Sequence, residues 1–515
     1  MARKMKILRL ILGDQLNQHH SWYKGDQSNI TYVMMEMRQE TDYVRHHIQK
    51  LVGFFCSMRN FAEHLKEKGF ELIYYKISQK DNAQELEKNI SKLISEHNFE
   101  KIEYQLPDEF RLDKQLKNLG KNLNIETEAF DTEHFYTERN DLEKFFKGKK
   151  QLTMEYFYRD MRKKHGILMI NKKDPEGGQW NFDKSNRKKW TGQPEIPHER
   201  GFRKDVTQIL KEIEDAGIKS IGGIEPTNFN WPTSRQDSLS VLNYFCKNLL
   251  IHFGDFQDAL HTNENYLFHS RLSFSLNAKM LSPKEVIETI LDYYYRHRDE
   301  IDISQVEGFI RQILGWREYM RGIYWKEMPG YKRSNKLRNQ NNLPGFYWDA
   351  KTKMNCLHHS IKNSLENAYA HHIQRLMITG NFALLTQTHP DHVDEWYLGI
   401  YIDAIEWVEI TNTRGMSQFA DGGLLATKPY VSSGNYINKM SNYCKSCHYS
   451  VNKRTEENAC PFNSLYWNFL DENRTIFSKN QRMNMMMSQL SKKNTEEMQK
   501  IKERAKEIIK NPENF

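Results

Sequence analysis

A chain of 515 residues exceeds one ordinary hydrophobic core, so two or three domains are expected, with ample volume to bury a large ligand. Its 75 Lys+Arg against 67 Asp+Glu leave +8, a mild excess that permits nucleic-acid binding without requiring it. Neither a signal peptide within Met1 to His20 nor an apolar run near the ~18 residues of a membrane span is present, and six cysteines do not make a disulfide scaffold, so a cytoplasmic protein with no membrane contact is expected.

In the amino-terminal third, Ile7 to Leu12, Tyr32 to Met37, Leu72 to Ile77, Lys101 to Gln105 and Ile125 to Phe130 are short β-type runs separated by helical patterns. The clearest of those helices is Val44 to Lys68. Alternation of this kind predicts a doubly wound α/β domain with a parallel sheet over residues 1–135. Gly13 and Asp14 directly follow the first strand and Glu40 follows the second, at the carboxyl edge where such sheets bind small molecules; ordinary loop chemistry is the alternative. No GxGxxG and no GxxxxGK[ST] occurs there, so the usual dinucleotide and P-loop sites lose support.

Residues 136–237 lose the alternation and gain Gly, Pro and charge, and read as a connector long enough to carry function. Met154 to His165 packs aromatics against Arg159, Arg162 and Lys163, and Arg187 to Trp190 adds a second basic and aromatic group. Cations for phosphates with rings for bases is the composition of a nucleic-acid groove, although a solvated basic face has the same composition. Gly177 to Trp180 reads as a turn.

From residue 238 to 515 the pattern is helical, with Ser238 to His252, Val306 to Tyr324 and Leu357 to Thr379 as the clearest runs. Val306 to Trp325 is so rich in rings that it must bury most of its circumference, either as a plain core helix or as the wall of a pocket for a flat heteroaromatic ligand. In AYAHHIQRLMITGNFALL, Ala368 to Leu385, the spacing of Leu365, Ala368, His372 and Leu376 predicts that His372 points inward. Asn367, His371 and Arg375 form a polar row beside it, and Gly380-Asn381 is where the helix should weaken or end. An inward histidine is a satisfied core residue or a functional one.

The cysteines give the sharpest local signal. Cys444 and Cys447 form a CxxC, Cys460 follows with Pro461 behind it, and Cys356 lies upstream. Four thiolates suit tetrahedral zinc or an iron-sulfur cluster, and ligand type does not choose between them. Cys444 to His448 also spells a c-type haem attachment motif, which the absence of a signal segment disfavours. Cys56 and Cys246 sit in apolar helical runs and read as core.

Together these segments resemble the bacterial iron-sulfur branch of the photolyase and cryptochrome family, the prokaryotic (6-4) photolyases and their relatives. The resemblance is carried by LILGDQL at Leu10 to Leu16, LTMEYFYRDMR at Leu152 to Arg162, Val306 to Trp325, Ala368 to Leu385, GMSQFADGG at Gly415 to Gly423, TKPYVSSGNYINKMSNYC at Thr427 to Cys444 and CPFNSLYW from Cys460. It implies an α/β antenna domain, a connector and an all-α domain that holds FAD, with a 4Fe-4S cluster on Cys356, Cys444, Cys447 and Cys460. It further implies 6,7-dimethyl-8-ribityllumazine near Gly13, Asp14, Glu40 and Phe54. For FAD it points to His269, Ser270, Arg271, Leu272 and Ser273, to Gln312, Trp316 and Arg317, and to Arg375, Asn381, Asp403 and Glu406.

The resemblance also casts Trp348, Trp396 and Tyr397 as electron-transfer aromatics and His372, positioned by His371, as the proton donor. Its activity would be light-driven repair of pyrimidine (6-4) pyrimidone photoproducts in UV-damaged DNA by a monomer, with Arg159, Arg162, Lys163 and Arg187 as DNA contacts. A cryptochrome-like blue-light sensor and a cyclobutane-dimer photolyase are the alternatives within the family, and a zinc-stapled DNA-binding protein is the alternative outside it.

Overall fold

The computed structural model describes residues 4–149 and 151–515. Its sheet has five parallel strands in the order β3-β2-β1-β4-β5: β1 Ile7–Leu10, β2 Ile30–Met35, β3 Leu72–Tyr75, β4 Lys101–Gln105 and β5 Glu126–Phe130. This is the doubly wound arrangement that the alternation predicts. Side chains alternate across the sheet: Tyr32 and Met34 join one core with Val52 and Phe55, and Val33 and Met35 join another with Ile90 and Leu116. The long predicted helix forms over Ile48–Glu67, capped by His47, whose ring also bonds the Leu365 carbonyl at 2.8 Å and so ties the helix to the carboxy-terminal half.

The connector divides its allegiance. Leu142, Met154, Phe157, Tyr158 and Met161 pack into the large helical core, whereas Val206, Ile213, Phe229 and Trp231 pack with the α/β domain.

The helical half contains the predicted runs, but several are interrupted by wide, π-type turns. Ser238 to His252 becomes Arg235–Tyr244, a wide stretch at Phe245–Leu249, and Leu250–Phe256. Val306 to Tyr324 lies within Ile303–Ile310, a wide stretch at Arg311–Arg317, and Glu318–Glu327. A wide turn carries an extra residue per turn and shifts the faces beyond it, and such turns concentrate at functional sites.

The predicted single helix from Leu357 to Thr379 does not form. Asn355–Asn367 ends at Ala368, which is left-handed with φ of 50°, and helix resumes only at His372. Tertiary packing overrides propensity here. Ala368 and Tyr369 belong to the core of the α/β domain, and the Ala368 carbonyl accepts the Ile402 N–H at 3.0 Å. The break resets the face of everything after it: His371 is buried and His372 is exposed, the reverse of the inward His372 that the spacing predicts.

Gly380 does not end the helix either. Its φ is −64°, and the wide stretch Gln374–Gly380 runs directly into Asn381–Leu385. Glycine is needed for close approach: a Cβ there would collide with Ser417 Oγ and lie 2.7 Å from the Arg375 carbonyl oxygen. Gly380→Ala, which would stabilise an ordinary helix, should therefore cost about 1–3 kcal/mol. Urea denaturation measures this, and an unchanged midpoint would refute the packing argument.

Candidate active site

Between Val306 and Tyr324 every side chain is buried except Gln312 and Trp316, one helical turn apart. His372 is likewise exposed on an otherwise buried segment, and Arg375 is half-buried. Yet burial, with Arg375 adding to it, pushes the His372 pKa down to about 4. Both facts fit a recess: water reaches the ring while protein surrounds it on most sides. His372 is thereby neutral at pH 7.

Arg375 organises this recess. Its Nη2 donates to both oxygens of Asp403 at 3.0 and 3.1 Å, its Nε donates to the Ala370 carbonyl at 2.7 Å, and its guanidinium lies 3.8 Å over the Tyr401 ring. Asn277 donates to the Asp403 carbonyl at 2.6 Å. His269 stacks on His371 with centroids 4.6 Å apart. Ser270 and Ser273 are half-buried beside buried Leu272.

Four residues grouped with these by sequence have other partners. Arg271 pairs with Glu199 at 2.7 Å and lies over Tyr266 and Trp231, so its charge is already compensated. Arg317 bonds Asn277 and His134 and lies 4.7 Å over Trp407, among residues that join the two halves of the chain. Glu406 accepts from Tyr324 at 2.7 Å and Lys332 at 3.0 Å, with Tyr324 also accepting the Phe110 N–H of the α/β domain. Asn381 is fully buried and spends its amide on Ser432, fixing the loop that leads to Cys444. All four are held by partners within the protein.

The aromatic residues form a connected row. Tyr401, beneath Arg375, packs 5.6 Å from Tyr397 and 5.9 Å from Trp396, and Trp396 lies 5.1 Å from Tyr347, where the row of ring contacts toward Trp348 ends; Trp348, the next residue in the chain, is 42% exposed. Tyr347 and Tyr401 were not singled out from sequence, although Tyr347 directly precedes Trp348 in FYW and Tyr401 closes the WYLGIY segment that Trp396 opens.

At the carboxyl edge of the sheet, Asp14 accepts from Lys279 at 2.7 Å, and the same buried ammonium lies 3.0 Å from Asp108. Glu40 pairs with Arg111, which also holds Glu109; burial, against the pull of Arg111, pushes Glu109 up to about 7. Gly13 lies against Met58, and Phe54 meets Phe274 edge to face at 5.2 Å. Lys279, Arg111 and Glu109 had no sequence signal, because each acts through a partner distant in the chain.

Cys356, Cys444, Cys447 and Cys460 line a single small cavity with Gly434, Tyr443, Tyr449 and Phe462. A Cβ on Gly434 would stand 2.8 Å from the Cys460 sulfur. Burial and the three other thiols push the Cys356 pKa well up.

Of the basic residues, Arg162 is fully buried and donates to the carbonyls of Ile167, Leu168 and Trp180, so it is a structural clasp and not a DNA contact. Arg159 and Lys163 flank Trp180 at 5.6 and 5.1 Å, and Arg187 is exposed.

Over 484 residues, 93% of this chain and 94% of the relative, the sequence is 43% identical to a (6-4) photolyase from Agrobacterium fabrum. A family model for deoxyribodipyrimidine photo-lyase-related protein matches residues 9–231. The chain belongs to the photolyase-related family. Its photolyase fold is also that of two solved structures: a bacterial class III photolyase from Agrobacterium tumefaciens, with 14% identity and a TM-score of 0.54 over 85% of this chain and 87% of that one, and the Synechocystis sp. PCC6803 cryptochrome, with 13% identity and a TM-score of 0.55 over 85% and 89%. Membership in the photolyase and cryptochrome family implies FAD. No helix among the described residues is long and apolar enough to cross a membrane.

Burial holds His47 and His269 at about 4 and His371 well below its ordinary value near 6.5. Between those limits the unfolded chain binds more protons than the folded one, so this contribution to stability is complete above pH 6.5 and is lost as the pH falls toward 4. Urea midpoints should drop across that window, and His47→Asn should make the decline shallower. An unaltered slope would remove His47 from the account.

Proposed function

We propose that this photolyase-related protein is a (6-4) DNA photolyase, a light-dependent lyase acting on pyrimidine (6-4) pyrimidone photoproducts in UV-damaged DNA. The observation that carries this is the 43% identity to a (6-4) photolyase across nearly the whole of both chains.

The recess fits FAD. Gln312, Trp316 and His372 are the open positions of otherwise buried elements, the Arg375–Asp403 pair offers a flat charged surface, and the buried His371 Nδ1 has no hydrogen-bond partner. Ser270, Leu272, Ser273, Gln312, Trp316, Arg375 and Asp403 would hold the cofactor. When bound, FAD would supply the light-excited electron.

The chain's own residues would do the remainder. Because the recess lies within the helical domain, the lesion must leave the duplex to enter it, and Arg159, Lys163 and Arg187 would grip the backbone phosphates meanwhile. His372, being accessible, would give its proton to the lesion. The negative charge brought by the lesion would favour the imidazolium, offsetting burial and Arg375. His371, buried behind it, would hold the turn that places His372. Trp396 and Tyr397, with Tyr401 and Tyr347 beside them, would pass electrons from Trp348 at the surface.

Two further groups belong to this reading. A 4Fe-4S cluster on Cys356, Cys444, Cys447 and Cys460 is supported by four thiols ringing one cavity. These four thiols line one cavity, and four cysteine thiolates are the usual ligand set of such a cluster. For 6,7-dimethyl-8-ribityllumazine, the carboxylates of Asp14 and Glu40 would accept from ribityl hydroxyls, with Phe54 against the ring and Gly13 allowing close approach.

Irradiating a (6-4)-containing oligonucleotide with the reduced protein should restore the pyrimidines. His372→Ala should keep its flavin absorption and lose about 10²-fold or more of the repair rate; full repair by this variant would sink the assignment. Metal analysis should find about four irons per chain, falling on Cys444→Ala, because such clusters are held by four cysteine thiolates. One zinc and no iron would overturn the cluster.

A further inference from the structure

His269 comes from the loop before Ser273–Asn277, His371 from the break after Ala368, and they meet as nearly parallel rings, 4.6 Å between centroids and 17° between planes. Each keeps one buried ring nitrogen without a partner, His269 Nε2 and His371 Nδ1. Two such orphans on stacked rings beside an accessible histidine are costly in a finished core, where an unpaired buried polar group loses about 1–3 kcal/mol. Arg271, two residues on, pairs with Glu199 and lies over Tyr266.

Resting on the photolyase reading above, we infer that His269 is a positioning residue for proton donation: its stack on His371 fixes the segment that carries His372. Stacked rings this close cannot both be imidazolium without direct like-charge repulsion in a poorly solvated site. The other groups acting on His371 are His372 and Arg375, and Arg375 is neutralised by Asp403. A proton on the group therefore settles on the ring best solvated, His372, which is the one a lesion can touch. His269 works through His371 and needs no contact with the lesion.

The test uses the full-length holoprotein and two variants. His269→Phe keeps a flat ring on His371 and removes a titrating neighbour; His269→Ala removes the stack. Repair yield under constant illumination is followed from pH 5 to 9, with flavin content read from absorbance. His269→Phe, which keeps the stack, should retain most repair and follow the wild-type pH profile. His269→Ala should retain flavin and lose about tenfold or more of the yield at every pH. Profiles of both variants that overlay the wild type would overturn the inference, and so would loss of flavin from His269→Phe, which would make His269 a cofactor contact. Wild-type protein that repairs no (6-4) lesion would instead overturn the photolyase reading, so the two failures are distinguishable.

Discussion

Arg375 is the side chain on which the helical half depends. One guanidinium joins Asp403, the Ala370 carbonyl inside the break, and the Tyr401 ring, while its own carbonyl accepts from Tyr397 at 2.6 Å. Three separate pieces of chain are thereby fixed around one charge. A half-buried cation with a two-oxygen partner and a backbone acceptor is well compensated, whereas removing Asp403 alone would leave its charge without a counter-ion. That asymmetry gives the recess a rigid floor, and the histidines and the aromatic row take their places from it.

The wide turns at Arg311–Arg317, Gln374–Gly380 and Thr411–Ser417 act on the same region. Gln312 and Trp316, four residues apart, are the two open positions within the nineteen residues from Val306 to Tyr324, and both lie on the wide stretch. Gly380 shows how closely two of these turns pack, since it presses against Ser417 and the Arg375 carbonyl with no room for a methyl group.

Strand and helix identity in the amino-terminal third was legible because its periodicities are local: Lys101–Gln105 forms as read, and the other strands shift at their ends by a few residues. The four cysteines could be grouped from spacing and resemblance, and they line one cavity. What could not be read is what long-range packing decides. Ala368, the best of helix formers, is left-handed because the neighbouring domain claims it, and this inverted the faces of His371 and His372. Arg162 looked like a phosphate ligand by composition, yet three carbonyls enclose it. Arg271, Arg317, Asn381 and Glu406 were placed on the pocket by resemblance, and each turned out to have a partner that no local pattern reveals.

Lys279 bears on how the molecule comes apart. It belongs to the helical half, but its ammonium is sealed between Asp14 and Asp108 of the α/β domain, with Arg321 3.5 Å from Asp108 on the other side. Separating the halves would leave carboxylates and cations facing a surface built to exclude water, and the charges would have to be hydrated all at once. Neither half can loosen by degrees. The sheet edge and the helical recess are therefore one cooperative unit, and a disturbance at Asp14 is felt in the spacing between the two halves before it is felt within either.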